Sequence, residues 1–148
     1  MRKSMMWGLV MAALGFGASA NAFADDNARV CRADKLSGLY VFASTGYNIV
    51  SGVAQPKAIV ELIRFNGDGT LTVPAATRSI NGVIGRSPPG GTGTYTVEAD
   101  CTGTLAFNGG PAFDIFPAPS GDDLWMIQTH DPVAPAFVLQ GNVTRVSR

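Results

Sequence analysis

The chain of 148 residues carries 11 basic and 11 acidic side chains, two cysteines and a single histidine. This charge balance, without a basic cluster, argues against nucleic acid and anionic membrane surfaces as partners. Two isolated cysteines with one histidine make a poor metal-binding set, so we expect neither a metal nor another cofactor.

Residues 1–24 have the features of a cleavable signal peptide. Arg2 and Lys3 give a positive start, and residues 5–16 form an apolar run that is too short to span a bilayer. Residues 22–24 then supply the A-x-A sequence that signal peptidase accepts. The alternatives are an uncleaved membrane anchor and a buried core helix.

Cleavage after Ala24, or after Ala22 as the second choice, leaves residues 25–148 as one mature domain with a net charge of about −2. No later stretch approaches the roughly 20 apolar residues of a membrane helix. We therefore predict a soluble periplasmic or secreted protein that does not insert into the membrane after cleavage of the signal.

The two cysteines of the mature chain, Cys31 and Cys101, are expected to pair in the oxidising compartment that export would give them. Two buried free thiols or a metal site are the alternatives.

After the signal peptide, short β-branched and aromatic runs alternate with clusters of Gly, Pro, Asn and Asp, which is typical of an antiparallel meander. We predict eight strands, at residues 38–44, 58–65, 70–73, 92–97, 101–107, 112–116, 123–129 and 137–146. The third strand could continue past Pro74 to Ile80, and residues 45–57 could hold a short strand or a helical turn. The pattern predicts an all-β fold, a single eight-stranded antiparallel up-and-down barrel, with a two-sheet sandwich as the alternative.

Alternation within the strands predicts which side chains face inward. Tyr95 and Leu105 fall on the faces opposite the threonines of their strands, and Val143 opposes Asn142 and Thr144. We expect the threonine and amide faces to lie on the solvent side.

Four segments carry a resemblance to a known group of proteins: FNGDGTL (residues 65–71), GGTGTYTVEADCTGTL (90–105), LWMIQT (124–129) and GNVTRV (141–146). Together they resemble a family of mostly uncharacterised small exported bacterial proteins with calycin or allene-oxide-cyclase-type barrels. The resemblance implies the eight-stranded barrel, and it brings no assigned activity.

A second resemblance is to lipocalins, which open with Gly-x-Trp on the first strand and place an arginine on the last strand. Here Gly38 is followed by Tyr40 in the place of the tryptophan, and Arg145 lies on the last predicted strand. The resemblance implies that Arg145 stacks on or near Tyr40 and closes one end of the barrel.

Glu61 is the most unusual residue of the predicted interior. It shares a strand face with Ile63 and Phe65, so it would place a carboxylate inside the barrel, where an unpaired charge is costly. It could pair with Arg145 or contact a ligand. The alternatives are the opposite strand parity or a position at the wet rim.

Aromatic side chains could line a ligand cavity or fill the interior, and the candidate ligand-binding residues are Tyr40, Glu61, Tyr95, Trp125 and Arg145. His130 precedes Asp131 in a predicted loop, where a solvated histidine is the simpler interpretation than a general acid or base. No catalytic set is apparent, and the chain is expected to be a binding protein rather than an enzyme.

Three functions stay open on these observations. The first is binding of a small apolar ligand in the barrel mouth. The second is a protein-binding module, such as an inhibitor of a secreted hydrolase, and the third is an enzyme of cyclase or isomerase type.

Overall fold

The computed structural model describes residues 30–133 and 136–148, so the predicted signal peptide, residues 1–24, lies outside the described residues. A 3₁₀ turn at Ala33–Lys35 precedes a single sheet of nine strands. The strands are β1 (Ser37–Val50), β2 (Val53–Asn66), β3 (Thr70–Ile80), β4 (Val83–Ser87), β5 (Gly91–Val97), β6 (Gly103–Phe107), β7 (Ala112–Pro117), β8 (Asp123–His130) and β9 (Phe137–Ser147).

The sheet closes on itself because β1 pairs with both β2 and β9, while β2 also pairs with β3. All of the pairings are antiparallel, and the strand order is β2-β1-β9-β8-β7-β6-β5-β3-β4. The predicted closed eight-stranded antiparallel barrel is therefore confirmed, with β4 as one extra strand, and the sandwich alternative is excluded. Closure removes the free edges of the eight barrel strands, whereas β4, which among the described strands pairs only with β3, keeps one free edge.

The first hairpin is much longer than the sequence pattern predicts. Residues 45–57 belong almost entirely to β1 and β2, which pair from Ser37↔Asn66 to Val50↔Val53. Ser51 and Gly52 form the turn, with φ of 49° and 78°. Positive φ at both central residues is typical of the two-residue turns that connect hairpin strands.

The extra strand β4 was not predicted. Asn81 and Gly82 make a second turn of the same kind, with φ of 49° and 83°, and β4 folds back onto the second half of β3. The first half of β3 pairs instead with β5. β3 thus continues across Pro74 to Ile80, which was one of the two predictions made for this strand from the sequence.

A β-bulge at Pro74 divides the two halves of β3. The register with β2 changes from Leu62↔Ala75 to Arg64↔Thr72, so β3 carries one extra residue there. Proline lacks a backbone N–H and is tolerated in strands at such bulges. Because of the extra residue, both Val73 and Ala76 line the barrel interior.

The core occupies the interior of the barrel, and the predicted alternation is confirmed. Tyr95, Leu105, Leu139 and Val143 are buried, whereas the threonines and amides that alternate with them are exposed or half-buried. The interior has two different ends: one is closed by side chains, and the other opens into a cavity.

Candidate functional site

The closed end of the barrel is held by Arg145 of β9. Its guanidinium donates hydrogen bonds to the hydroxyl oxygen of Tyr40 at 2.9 and 2.7 Å, and its Cζ lies 5.2 Å from the centre of the Tyr40 ring. It also donates to the carbonyl oxygens of Lys35 and Gly121, and it pairs with Asp122 at 3.0 Å. The predicted contact between Arg145 and Tyr40 is therefore present.

Gly121 is required at this end. The Tyr40 hydroxyl donates a 2.6 Å hydrogen bond to the Gly121 carbonyl oxygen. Gly121 has a φ of 73°, and a Cβ there would lie 2.4 Å from the carbonyl oxygen of Lys35. Only glycine fits so close to the backbone of the 3₁₀ turn without strain.

An aromatic layer lies directly beneath the closure. Phe65 packs edge-to-face between the rings of Tyr40 and Tyr95, at 5.0 Å from each. The Tyr95 hydroxyl contacts the carbonyl oxygens of Ala33 and Leu36 at 3.1 and 3.0 Å and accepts a hydrogen bond from the Gly67 amide. Leu36 is fully buried. This end is filled and has its polar groups satisfied.

The predicted disulfide is present, joining Cys31 to Cys101. The bond ties the segment before β1 to the turn between β5 and β6. It therefore holds that segment against the closed end of the barrel.

The opposite end of the barrel holds a cavity of about 460 Å³, which we call the cup. Drug-sized ligands bind in cavities of roughly 300–1,000 Å³ that combine apolar walls with a few polar groups. The apolar lining residues of the cup include Phe42, Ile59, Val73, Ala76, Ile80, Phe107 and Phe113. Its polar lining residues include Asn48, Lys57, Glu61, Arg78, Ser87 and Asp131.

Lys57 and Asp131 form an ion pair near the mouth of the cup. Lys57 Nζ lies 3.9 Å from Asp131 Oδ2, and the two side chains are only 7% and 11% exposed. Gln128 Nε2 donates a 2.9 Å hydrogen bond to the same Asp131 oxygen. Burial lowers the pKa of Lys57, the charge of Asp131 opposes that effect, and the nearby Arg78 adds to it.

Glu61 lies deeper in the cup, on the inward face of β2. Its direct neighbours across the sheet are Phe42 on β1 and Ala76 on β3, neither of which can neutralise a charge. Burial raises the pKa of Glu61 from 4.5 to about 7. The titration of this carboxyl group is thus moved from the acidic range towards neutral pH.

Several buried polar atoms of the interior have no hydrogen-bond partner among the described residues. They are Ser44 Oγ, Asn48 Oδ1, Glu61 Oε1 and Gln128 Oε1. Buried polar groups are nearly always satisfied in folded proteins, and unsatisfied ones call for an explanation. Asn48 and Glu61 line the cup, so the cavity has unsatisfied polar atoms, in contrast to the satisfied closed end.

The five predicted ligand-binding residues are distributed over three places. Tyr40, Tyr95 and Arg145 lie at the closed end, and Glu61 lies in the cup. Trp125 lies on the outer face of β8 with 52% of its surface exposed, so the expectation that it lines the interior is contradicted. Tyr47 of β1 is likewise an exposed aromatic residue.

The proposed pairing of Glu61 with Arg145 is not present. Arg145 lies opposite Tyr40 in the register of β1 and β9, at the closed end, and its acidic partner is Asp122. Glu61 is indeed on the inward face with Ile63 and Phe65, which excludes the alternative of opposite strand parity.

His130 ends β8 and is exposed, in keeping with a solvated histidine. Within residues 30–133 and 136–148, no group of three or more His, Cys, Asp or Glu side chains is placed to hold a metal ion. In the same part of the chain, no helix has the length and apolar character to span a bilayer.

Sequence reasoning missed most of the cup, including Asn48, Lys57 and Asp131. A signal for Lys57 was available, because it lies four residues before Glu61 and therefore shares its strand face once β2 is extended back to Val53. Asn48 and Asp131 gave no comparable signal, since both lie among residues that look like loops.

Comparison of the chain with protein-family models, with curated proteins and with solved structures finds no match. The resemblances to calycin, allene-oxide-cyclase-type and lipocalin barrels therefore stay predictions. The closed barrel agrees with them, but barrel shape does not identify a family.

Proposed function

We propose that this protein is an exported binding protein that takes a small amphipathic molecule into the cup. The observation that supports this most strongly is the division of the barrel interior into a filled, hydrogen-bonded end and an open end. The open end combines a cavity of about 460 Å³ with aromatic walls and unsatisfied polar atoms. A ligand with an apolar body and a polar group would use both kinds of surface.

Export is supported by the disulfide between Cys31 and Cys101, because such bonds form and persist in oxidising compartments. The predicted signal sequence of residues 1–24 gives the route. A periplasmic or secreted location would expose the cup to small molecules outside the cytoplasm.

Filling the cup tests the proposal. Ala76 lines the cavity, and its neighbour Ala75 is exposed on the opposite face of β3, so the two positions form a matched pair. We expect Ala76→Phe to abolish the binding of octanol in a calorimetric titration, because the new ring occupies the cavity. Ala75→Phe should bind octanol as the unmodified protein does.

Octanol binding that survives in Ala76→Phe, with the fold intact by circular dichroism, would contradict the proposal. So would the absence of binding by octanol, octylamine and octanoate to the unmodified protein.

A protein-binding module is the second candidate, and a different surface favours it. Phe116 and Trp125 are cross-strand partners on the outer face of β7 and β8 and are 46% and 52% exposed. Aromatic side chains of this kind are enriched at the centres of protein interfaces. If a folded protein with an apolar surface docks here, replacing both residues by threonine should abolish that complex while octanol binding is unchanged.

A further inference from the structure

Glu61 is the acidic group of the cup whose charge is left without a partner. The ion pairs of the described residues join Arg32 to Asp34, Lys57 to Asp131 and Arg145 to Asp122, and none of them includes Glu61. Glu61 Oε1 is buried and accepts no hydrogen bond from the described residues. An isolated carboxylate in such surroundings is costly to ionise.

The cationic side chains of the cup are placed where they do not neutralise Glu61. Lys57 is on the same face of β2 but four residues away, about 13 Å along the strand, and it is turned to Asp131. Arg78 is paired in register with Ile59 rather than with Glu61, and its guanidinium lies over the backbone of Gly85. The cup therefore has a cation near its mouth and an unpaired carboxyl group deeper inside.

Aromatic rings form part of the wall of the cup, beginning next to Glu61. Phe42 is the direct cross-strand neighbour of Glu61. Phe42 packs edge-to-face on Phe113 at 5.9 Å, and Phe113 packs in the same way on Phe107 at 6.0 Å. All three residues line the cup, so a cation held by Glu61 would also meet aromatic surface.

We propose that the ligand of the cup is a cationic amphiphile, an alkyl or aryl amine whose protonated nitrogen pairs with the carboxylate of Glu61 while its apolar part lies against Phe42 and Phe113. This inference rests on the proposed function and adds the chemical class of the ligand. An ammonium group supplies the opposite charge that the Glu61 carboxylate lacks, whereas a carboxylate ligand would meet repulsion from Glu61. An alcohol would supply a hydrogen bond without the charge.

Three probes that share an octyl chain separate these possibilities: octylamine, octanol and octanoate. We expect calorimetric titration at about pH 8.5 to give the tightest binding for octylamine, which, like a lysine side chain, is protonated there. Glu61→Gln keeps the shape of the side chain and removes its charge. It should weaken octylamine binding by about tenfold or more, the size of one ionic hydrogen bond, and leave octanol binding within about twofold.

Glu98→Gln is the matched control, since Glu98 is exposed in the turn after β5 and its replacement changes the net charge of the protein equally. It should bind all three probes as the unmodified protein does. A loss of octylamine binding in both variants would show a general charge effect and would overturn the inference.

The pH dependence gives an independent readout. Because burial raises the pKa of Glu61 to about 7, octylamine should bind about tenfold or more weakly at about pH 5.5 than at about pH 8.5. Lys57, Arg78 and Asp131 also line the cup, so variants are needed to show which group causes the pH dependence of octylamine binding. It should disappear in Glu61→Gln and persist in Glu98→Gln.

The outcomes separate the two proposals. Binding of octanol or octanoate that equals or exceeds that of octylamine would overturn the amine inference and leave the binding function standing. Failure of all three probes to bind would overturn the binding function itself.

Discussion

At the scale of single residues, ionisation of the buried Glu61 destabilises the folded protein. Its neighbours across the sheet are apolar, and its pKa is raised from 4.5 to about 7 by burial alone. The folded state therefore holds the proton more tightly than the unfolded state does. The contribution of the Glu61 proton to the free energy of unfolding is fully present below pH 4.5, and it is lost as the pH rises through about 7.

Glu61→Gln should remove this dependence. Above about pH 8, the variant should be more stable than the unmodified protein by up to about 3 kcal/mol, since it has no charge to bury. Below about pH 4.5, the two proteins should be equally stable. Urea unfolding at both pH values measures the difference, and a Glu61→Gln protein that is less stable than the unmodified one at high pH would contradict a functional role for the buried charge.

We expect the opposite effect for Arg145, because its charge is paired and its guanidinium is hydrogen-bonded to Tyr40, to Lys35 and to Gly121. Arg145→Met would leave the Tyr40 hydroxyl with fewer partners and the carbonyl oxygen of Gly121 without the guanidinium. We expect a loss of about 2 kcal/mol or more in the free energy of unfolding by urea. Arg64→Met, at an exposed position of β2, is the control and should lower the free energy of unfolding by less than about 0.5 kcal/mol. If both variants lose the same free energy of unfolding, the contacts of Arg145 do not stabilise the closed end.

At the scale of elements, the sequence predicted strands well where polar and apolar residues alternate strictly. The threonine-rich strands β5 and β6 are the clearest example, because one of their faces is solvated. The predicted strands stopped short in the parts of β1 and β2 next to their connecting turn, where Gly46 and Pro56 resemble loop residues. Their pairing with each other and with β9 overrides that local preference, and tertiary pairing of this kind is not visible in one segment.

The disulfide belongs to the same scale because it ties an irregular segment to the barrel. Cys31 and Cys101 are 70 positions apart in the sequence, so the bond closes a long loop in the unfolded chain as well. Replacing both cysteines by serine should lower the free energy of unfolding by about 4 kcal/mol in the chain-entropy account. Guanidinium unfolding of the two proteins measures this difference. A value under about 1 kcal/mol would contradict the chain-entropy account, because the unfolded chain would then gain little conformational entropy when the bond is removed.

For the whole molecule, the central feature is the contrast between the two ends of one barrel. Tyr40, Tyr95 and Arg145 were predicted as candidate ligand-binding residues, but they fill the closed end, as the lipocalin resemblance implied for Arg145 and Tyr40. The cavity lies at the other end. Sequence alternation predicts that a side chain faces inward. It does not predict at which end the interior is filled, because that depends on strand register and on what packs over each rim.

The measurement that tests this account most directly is a methyl NMR titration of the protein with octylamine. Ile59 and Val73 face the cup, whereas Val60 and Ile127 are exposed on the outer wall. We predict chemical-shift changes and intermolecular nuclear Overhauser effects for Ile59 and Val73, with Val60 and Ile127 unaffected. Changes confined to the outer methyl groups would contradict the claim that the open half of the barrel is a binding site, and so would the absence of any change with octylamine, octanol and octanoate alike.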